Sequence, residues 1–252
     1  MSEHRFHTPL PLLLDVNVPS GAINLETVDG EESVVHVDGD QKLVEHVEVK
    51  HDGERLSVAF RGKKPFGLTI AVGSFSWGSE GIRVHATVPH GAAAAITTAS
   101  ADATLAGRLR ELEVKTASGD VRVHGEIEQS ASVKTVSGDV VLDRVVGDLR
   151  AQTVSGDVSA GVIGGSAETK SVSGDISLHS VRAGSTSFTS VSGDIEIGIA
   201  QGSFLDVDAG SVSGDLSSEV PLASEPGGNG EGPTVVLRGK TVSGDVRVFR
   251  SA

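Results

Sequence analysis

Apolar and polar residues alternate along the later part of the chain, and the alternation restarts at a near-constant interval. Each restart is marked by a triplet: Ser118-Gly119-Asp120, Ser137-Gly138-Asp139, Ser155-Gly156-Asp157, Ser173-Gly174-Asp175, Ser192-Gly193-Asp194, Ser213-Gly214-Asp215 and Ser243-Gly244-Asp245. A degenerate Ser100-Ala101-Asp102 precedes them. The aspartates at 102, 120, 139, 157, 175, 194, 215 and 245 stand 18, 19, 18, 18, 19, 21 and 30 residues apart. With each aspartate as position zero, −8 and −6 are mainly apolar: Leu112 and Val114, Ala131 and Val133, Leu149 and Ala151. Positions −7 and −5 are polar: Glu113 and Lys115, Ser132 and Lys134, Arg150 and Gln152. After the triplet, +1 holds Val121, Val140, Val158, Ile176, Ile195, Leu216 and Val246, and +3 is apolar in every copy but Ser218. A period of two is the mark of a strand with one buried face. Each interval therefore predicts a strand before the triplet and a strand after it. A short connection, often with glycine (Gly147, Gly164-Gly165, Gly184), closes the coil.

A fixed period of this length predicts a solenoid, in which each coil buries its apolar face against the next. Eight coils at strand spacing would span about 35 Å. Helix is nearly excluded, because no window combines the i, i+3, i+4 pattern with few glycines and β-branched residues. The longest step contains 223–233, rich in Gly and Pro, which predicts a flexible insertion between the last two coils.

Position −3 breaks the scheme. Ala117, Val136, Val154, Val172, Val191, Val212 and Val242 have the parity of the polar positions. A kink near −5 would turn these valines inward, and that is the first expectation. A straight strand would leave them outside as an apolar ladder, with Thr or Ser at −4 facing in. Such a ladder would be a partner surface.

The triplet reads as a structural corner. Glycine supplies positive φ, and Ser and Asp side chains accept from turn amides. Stacked carboxylates about 4.8 Å apart repel one another. Amides, cations or the −5 lysines (Lys115, Lys134, Lys170, Lys240) must offset that repulsion. A calcium ladder is the alternative, but calcium-binding rolls place several Gly and Asp within nine residues, and each coil here offers one aspartate.

Residues 1–91 are β-rich without repeating and predict an N-terminal entry or cap region, leaving 92–252 as the solenoid. Strand-like runs at 14–18, 33–37, 44–49, 56–60 and 82–88 are separated by turn residues. A glycine-rich loop at 73–81 carries Phe75 and Trp77, expected as a flap over the open end of the stack, or alternatively as a partner-binding tip.

Composition narrows the function classes. Among 252 residues there is no cysteine, so there is neither a disulfide framework nor a thiolate metal site. A net charge of −13 counts against nucleic acid and against anionic membrane surfaces. The apolar run at 10–14 is too short for a secretory core, and nothing is long enough to span a bilayer. A cytoplasmic location without membrane insertion is the expectation. His36, His46 and His51 are the nearest approach to a metal set, but His46 and His51 have opposite strand parity, so no metal or other cofactor is expected. Nucleophile-elbow, phosphate-loop and dinucleotide motifs are missing. Three or more carboxylates or basic residues converging in one outer groove would point instead to a carbohydrate-active enzyme.

The string Thr-Val-Ser-Gly-Asp-Val at 135–140, 153–158 and 241–246, with Val18-Pro19-Ser20-Gly21 and Val88-Pro89-His90-Gly91, resembles a bacterial family. It is the family of unknown function labelled "putative adhesin" or β-strand repeat-containing. The resemblance implies an all-β, single-stranded parallel β-helix, right-handed, with no established activity and no catalytic residues to carry over. The expected function is a non-enzymatic scaffold or interaction module that binds a protein partner or self-assembles. An exported adhesin or glycan-binding module and a carbohydrate-active β-helix enzyme are the alternatives.

Overall fold

The computed structural model describes residues 2–62, 81–220 and 233–251. Phe75, Trp77 and residues 223–232 of the expected insertion lie outside them. The described chain is all-β apart from one four-residue helix, Gln41–Val44, capped by the Asp40 carboxylate.

The strands form two columns of parallel pairs, joined where Ser100–Lys115 and Val121–Lys134 run through both. The pre-triplet column continues through Asp148–Gln152, Ala167–Lys170 and Gly184–Thr189. The post-triplet column continues through Val140–Val145, Val158–Ile163, Ile176–Val181 and Ile195–Ile199. Partners differ by one interval, as in Val140↔Val158 and Val158↔Ile176. Identical positions therefore stack. Val121, Val140, Val158, Ile176 and Ile195 form one continuous buried row, and Leu109, Ile127, Val145, Ile163, Val181 and Ile199 form another. Val123, Leu142, Ala160, Leu178 and Ile197 form a third, and with the buried rows of the pre-triplet strands these fill the core with aliphatic side chains, which is why so few aromatics suffice.

The stack begins earlier than residue 92. Leu13–Asn17 pairs in parallel with Ala93–Thr97, and Ser20–Val28 pairs with Ser100–Lys115. Ser20, Gly21 and Ala22 lie opposite Ser100, Ala101 and Asp102. They are a copy of the corner in which alanine replaces the aspartate, so the expected boundary at 91/92 is not a boundary in the strand pairing. The same two strands also pair on their other side with Arg55–Phe60 and Ile82–Pro89. Antiparallel strands then close this end: Val47–Asp52 on one column, Glu32–Gly39 and Ser2–His7 on the other.

At the opposite end the order of coils is not the order of the chain. Thr234–Ser243 lies between Gly184–Thr189 and Phe204–Ser213. Val246–Arg250 likewise lies between Ile195–Ile199 and Leu216–Ser218. The coil with Asp245 is wedged between those with Asp194 and Asp215.

The corner works differently from the sequence expectation. Of the seven triplet glycines only Gly193 and Gly244 have positive φ. The common requirement is steric: a Cβ on Gly138, Gly156 or Gly174 would stand 2.0–2.1 Å from the carbonyl oxygen of the corner glycine one coil back. In the coils of Gly119, Gly138, Gly156 and Gly174 the −4 hydroxyl points inward and accepts the corner amide, as in Gly138 N–H to Thr135 Oγ1 at 2.9 Å and Gly156 N–H to Thr153 Oγ1 at 2.9 Å. Each corner aspartate except Asp215 accepts the amide of the aspartate in the coil stacked next to it. Asp139 N–H donates to Asp120 Oδ1, Asp157 to Asp139, Asp175 to Asp157 and Asp194 to Asp175, all within 2.8–3.0 Å. The ladder is therefore held by amides, one per carboxylate, without help from the −5 lysines. Replacing Thr153 with valine is expected to cost about 1–2 kcal/mol, because a buried Gly156 amide loses its acceptor. Replacement by serine should cost much less, and urea unfolding midpoints of the two variants measure the difference.

Candidate interaction face

The outer surface of the pre-triplet column is organised as rows set by register. One row runs Glu113, Ser132, Arg150, Glu168 and Ser187. The next runs Lys115, Lys134, Gln152, Lys170, Thr189 and Lys240. The third is the −3 row, with Val136, Val154, Val172, Val191 and Val242 each 42–51% exposed and Val212 82% exposed. The inward kink is thus corrected. At Thr116, Thr135, Thr153 and Ser171 the −4 hydroxyl is drawn inside to cap the corner amide, and the next side chain is left pointing outward. Beyond the valines lies the aspartate corner. The face is a valine stripe with lysines on one flank and carboxylates on the other.

The lysine flank is only partly neutralised. Lys115 pairs with Glu113 at 2.5 Å, and Lys170 with Glu168 at 2.7 Å. Lys134 and Lys240 form no ion pair among the described residues. On the other flank, Arg122 bonds Asp120 Oδ2 at 2.9 Å. Asp139, Asp157, Asp175 and Asp194 use Oδ1 for the ladder and leave Oδ2 without a hydrogen bond among the described residues.

A shallow groove crosses the same column, lined by Ser132, Asp148, Arg150, Ser166, Glu168 and Ser187 among others. It does bring three charged side chains together. Their chemistry is not that of an acid–base pair. The Lys170 ammonium, and then the Arg150 guanidinium, hold the Glu168 carboxyl below its ordinary range. Asp148 Oδ1 accepts the Ser166 amide at 2.8 Å. A glycosidase needs one carboxyl poised in its protonated form, and Glu168 is pushed the other way.

Sequence reasoning missed one constellation near the capped end. Thr27 Oγ1 lies 2.6 Å from His90 Nδ1, and His90 Nε2 lies 3.8 Å from Asp29. Residue types and order match a nucleophile, base and orienting acid. The surroundings do not. Thr27 is buried, its oxygen already accepts the Arg108 amide at 2.8 Å, and a Cβ on Gly107 would stand 2.1 Å from that oxygen. No room remains for a reacting carbon. The three histidines of the candidate metal set are dispersed: His36 lies beside His85, His46 against the Lys42 carbonyl and His51 against Phe6. Among the described residues no three His, Asp or Glu side chains are placed to hold a metal, and no helix is long and apolar enough to cross a membrane.

The profile of the family described as Toastrack DUF4097 matches residues 13–249. The chain belongs to the Toastrack family. The match takes in the N-terminal coil at 13–28 as well as the Ser-Gly-Asp coils. No curated protein matches this Toastrack chain. Among solved structures it is similar to a "putative adhesin" from Parabacteroides distasonis, with TM-score 0.61 and 19% identity over 98% of this chain and 96% of that one. A "putative adhesin" from Parabacteroides merdae is similar with TM-score 0.58 and 16% identity, over 98% and 95%. A "putative lipid binding protein" from Parabacteroides distasonis reaches TM-score 0.61 at 14% identity, over 97% and 96%. At these identities the likeness concerns the Toastrack fold.

Proposed function

We propose that this Toastrack chain is a non-enzymatic interaction module, built as a single-stranded, right-handed parallel β-helix of about 18-residue coils, that binds a protein through its valine face. The exposed valine row carries this reading. An apolar stripe repeated coil after coil along the outside of the stack is the kind of surface partners cover. The engaged carboxylates of the groove and the sealed Thr27 support a non-catalytic role, and the adhesin wording of the structural neighbours agrees with it. The test compares the wild-type chain with a Val154→Lys/Val172→Lys variant as immobilised baits in an extract of the source cells. A protein retained by the wild type and lost with the variant is the expected result. Identical retention by both would remove the valine face as the binding surface.

A second reading is favoured by the groove, whose Ser132, Ser166 and Ser187 hydroxyls and Arg150 guanidinium suit the hydroxyls and carboxylates of a glycan. Arg150→Ala should then abolish binding on a glycan array without changing the melting temperature.

A further inference from the structure

We infer that the partner of the valine face is a second copy of this chain, lying side by side with the first, the two solenoid axes parallel and in register. This deepens the reading above and rests on its assignment of the valine face.

The argument begins with symmetry. Along each coil the order is the −5 position, which is lysine in four of the seven, then the apolar −3 position, then the corner aspartate. Two copies can meet face to face about a two-fold axis in two simple ways. With the axis across the rows, lysines meet lysines and aspartates meet aspartates, which is repulsive. With the axis along the valine row, each valine meets its own counterpart, and the lysine flank of each copy meets the aspartate flank of the other. Lys134 of one copy then faces Asp139 of the second, and the exchange occurs twice, once on each flank. That isologous self-complementarity is the requirement for a closed dimer. The groups needed are available in two coils: Lys134 and Lys240 form no ion pair among the described residues, and the Oδ2 atoms of Asp139 and Asp245, which they would face, have no hydrogen bond among them, while Asp157 and Asp194 would face the neutral Gln152 and Thr189. The rigidity is also present, because every corner carboxylate except that of Asp215 is fixed by an amide one coil away.

The area is sufficient for a weak association. Seven coils at strand spacing give a stripe about 29 Å long, and five residues from lysine to aspartate make it at most about 16 Å wide. That is roughly 900 Å² counted over both copies, in the range of weak and transient interfaces. A concentration-dependent dimer is therefore expected, not a permanent one. A chain of net charge −13 can form it only if the negative charge is arranged, as here, to meet lysines at the contact.

The chain lacks cysteine, so a single introduced thiol reports unambiguously. Val136→Cys, Val154→Cys and Val191→Cys are exposed substitutions, made one at a time. Sedimentation from micromolar to several hundred micromolar should show mass rising from one chain to two. A short thiol-to-thiol cross-linker should then join each variant to itself. A mixture of Val136→Cys and Val191→Cys should give same-site links but few mixed ones, since those positions are three coils, about 14 Å, apart. Failure of the variants to link to themselves, or predominantly mixed links, would mean an antiparallel or staggered arrangement and would overturn the inference. So would a single-chain mass of 25.8 kDa across the whole range. If that monomer still retains a protein that Val154→Lys/Val172→Lys loses, the self-association fails and the valine-face reading stands. If retention is also identical, both fail.

Discussion

Alanine at Gly156 should lower stability by about 3 kcal/mol, at the upper end of what overpacking a well-filled site does. For a chain of this size that is a fall in melting temperature of about 6–12 °C. The added methyl would stand 2.1 Å from the Gly138 carbonyl oxygen. Neither group can yield cheaply. The Gly156 amide is bound to Thr153 and the next residue's amide to Asp139, so the corner is held on both sides. The control is Gly210→Ala, in Phe204–Ser213, where a Cβ would meet nothing within 4 Å and φ is not positive. That variant should change stability by less than about 0.5 kcal/mol. Equal effects at the two sites would show that the corner glycine acts through backbone freedom and not through coil-to-coil contact.

Valine at Gly239 should be nearly as damaging, at about 2–3 kcal/mol, and its effect should be local. Gly239 is the register partner of Phe188, the largest of the fully buried side chains, and a Cβ there would lie 2.4 Å from the phenyl ring. The ring is enclosed and cannot swing away. Hydrogen exchange should quicken in Thr234–Ser243 and also in Phe204–Ser213, whose strand pairs with Thr234–Ser243. Exchange in Val140–Val145 and Val158–Ile163 should not change. Continued protection of Phe204–Ser213 would contradict the wedge, since a coil stacked in chain order would rest on Gly184–Thr189 instead.

Much of this fold is written in strand parity. The period, the inward rows at −8, −6, +1 and +3 and the corner at each triplet follow from alternation, because a stacked strand has only two faces to choose between. The outward valines were legible only in part: parity alone puts Val154 outside, its apolar side chain favoured a kink that turns it in, and the Thr153 hydroxyl, bound to the corner amide, decides against the kink. The coil at 13–28 was hidden because its corner reads Ser20-Gly21-Ala22, without the aspartate that marks the others. The steric reason for glycine was hidden too, since a local triplet does not display the carbonyl one coil away. The wedge could not be read at all. Every coil offers nearly the same edge to its neighbours, so the alternation is satisfied whichever coil lies next. On the candidate face, the valine and lysine rows were visible as residues at fixed positions. Their adjacency to unshared aspartate oxygens needed the register.

The wedge changes how the stack comes apart. A one-dimensional repeat array ordinarily erodes from its tips, one repeat at a time, each loss exposing the next. Here the outermost coil, Phe204–Ser218, holds on through Thr234–Arg250, and that segment in turn lies against Gly184–Ile199. The outer coil cannot dock before the later one arrives, and the loop between them must close in the same event. Near this end, two coils are gained or lost together.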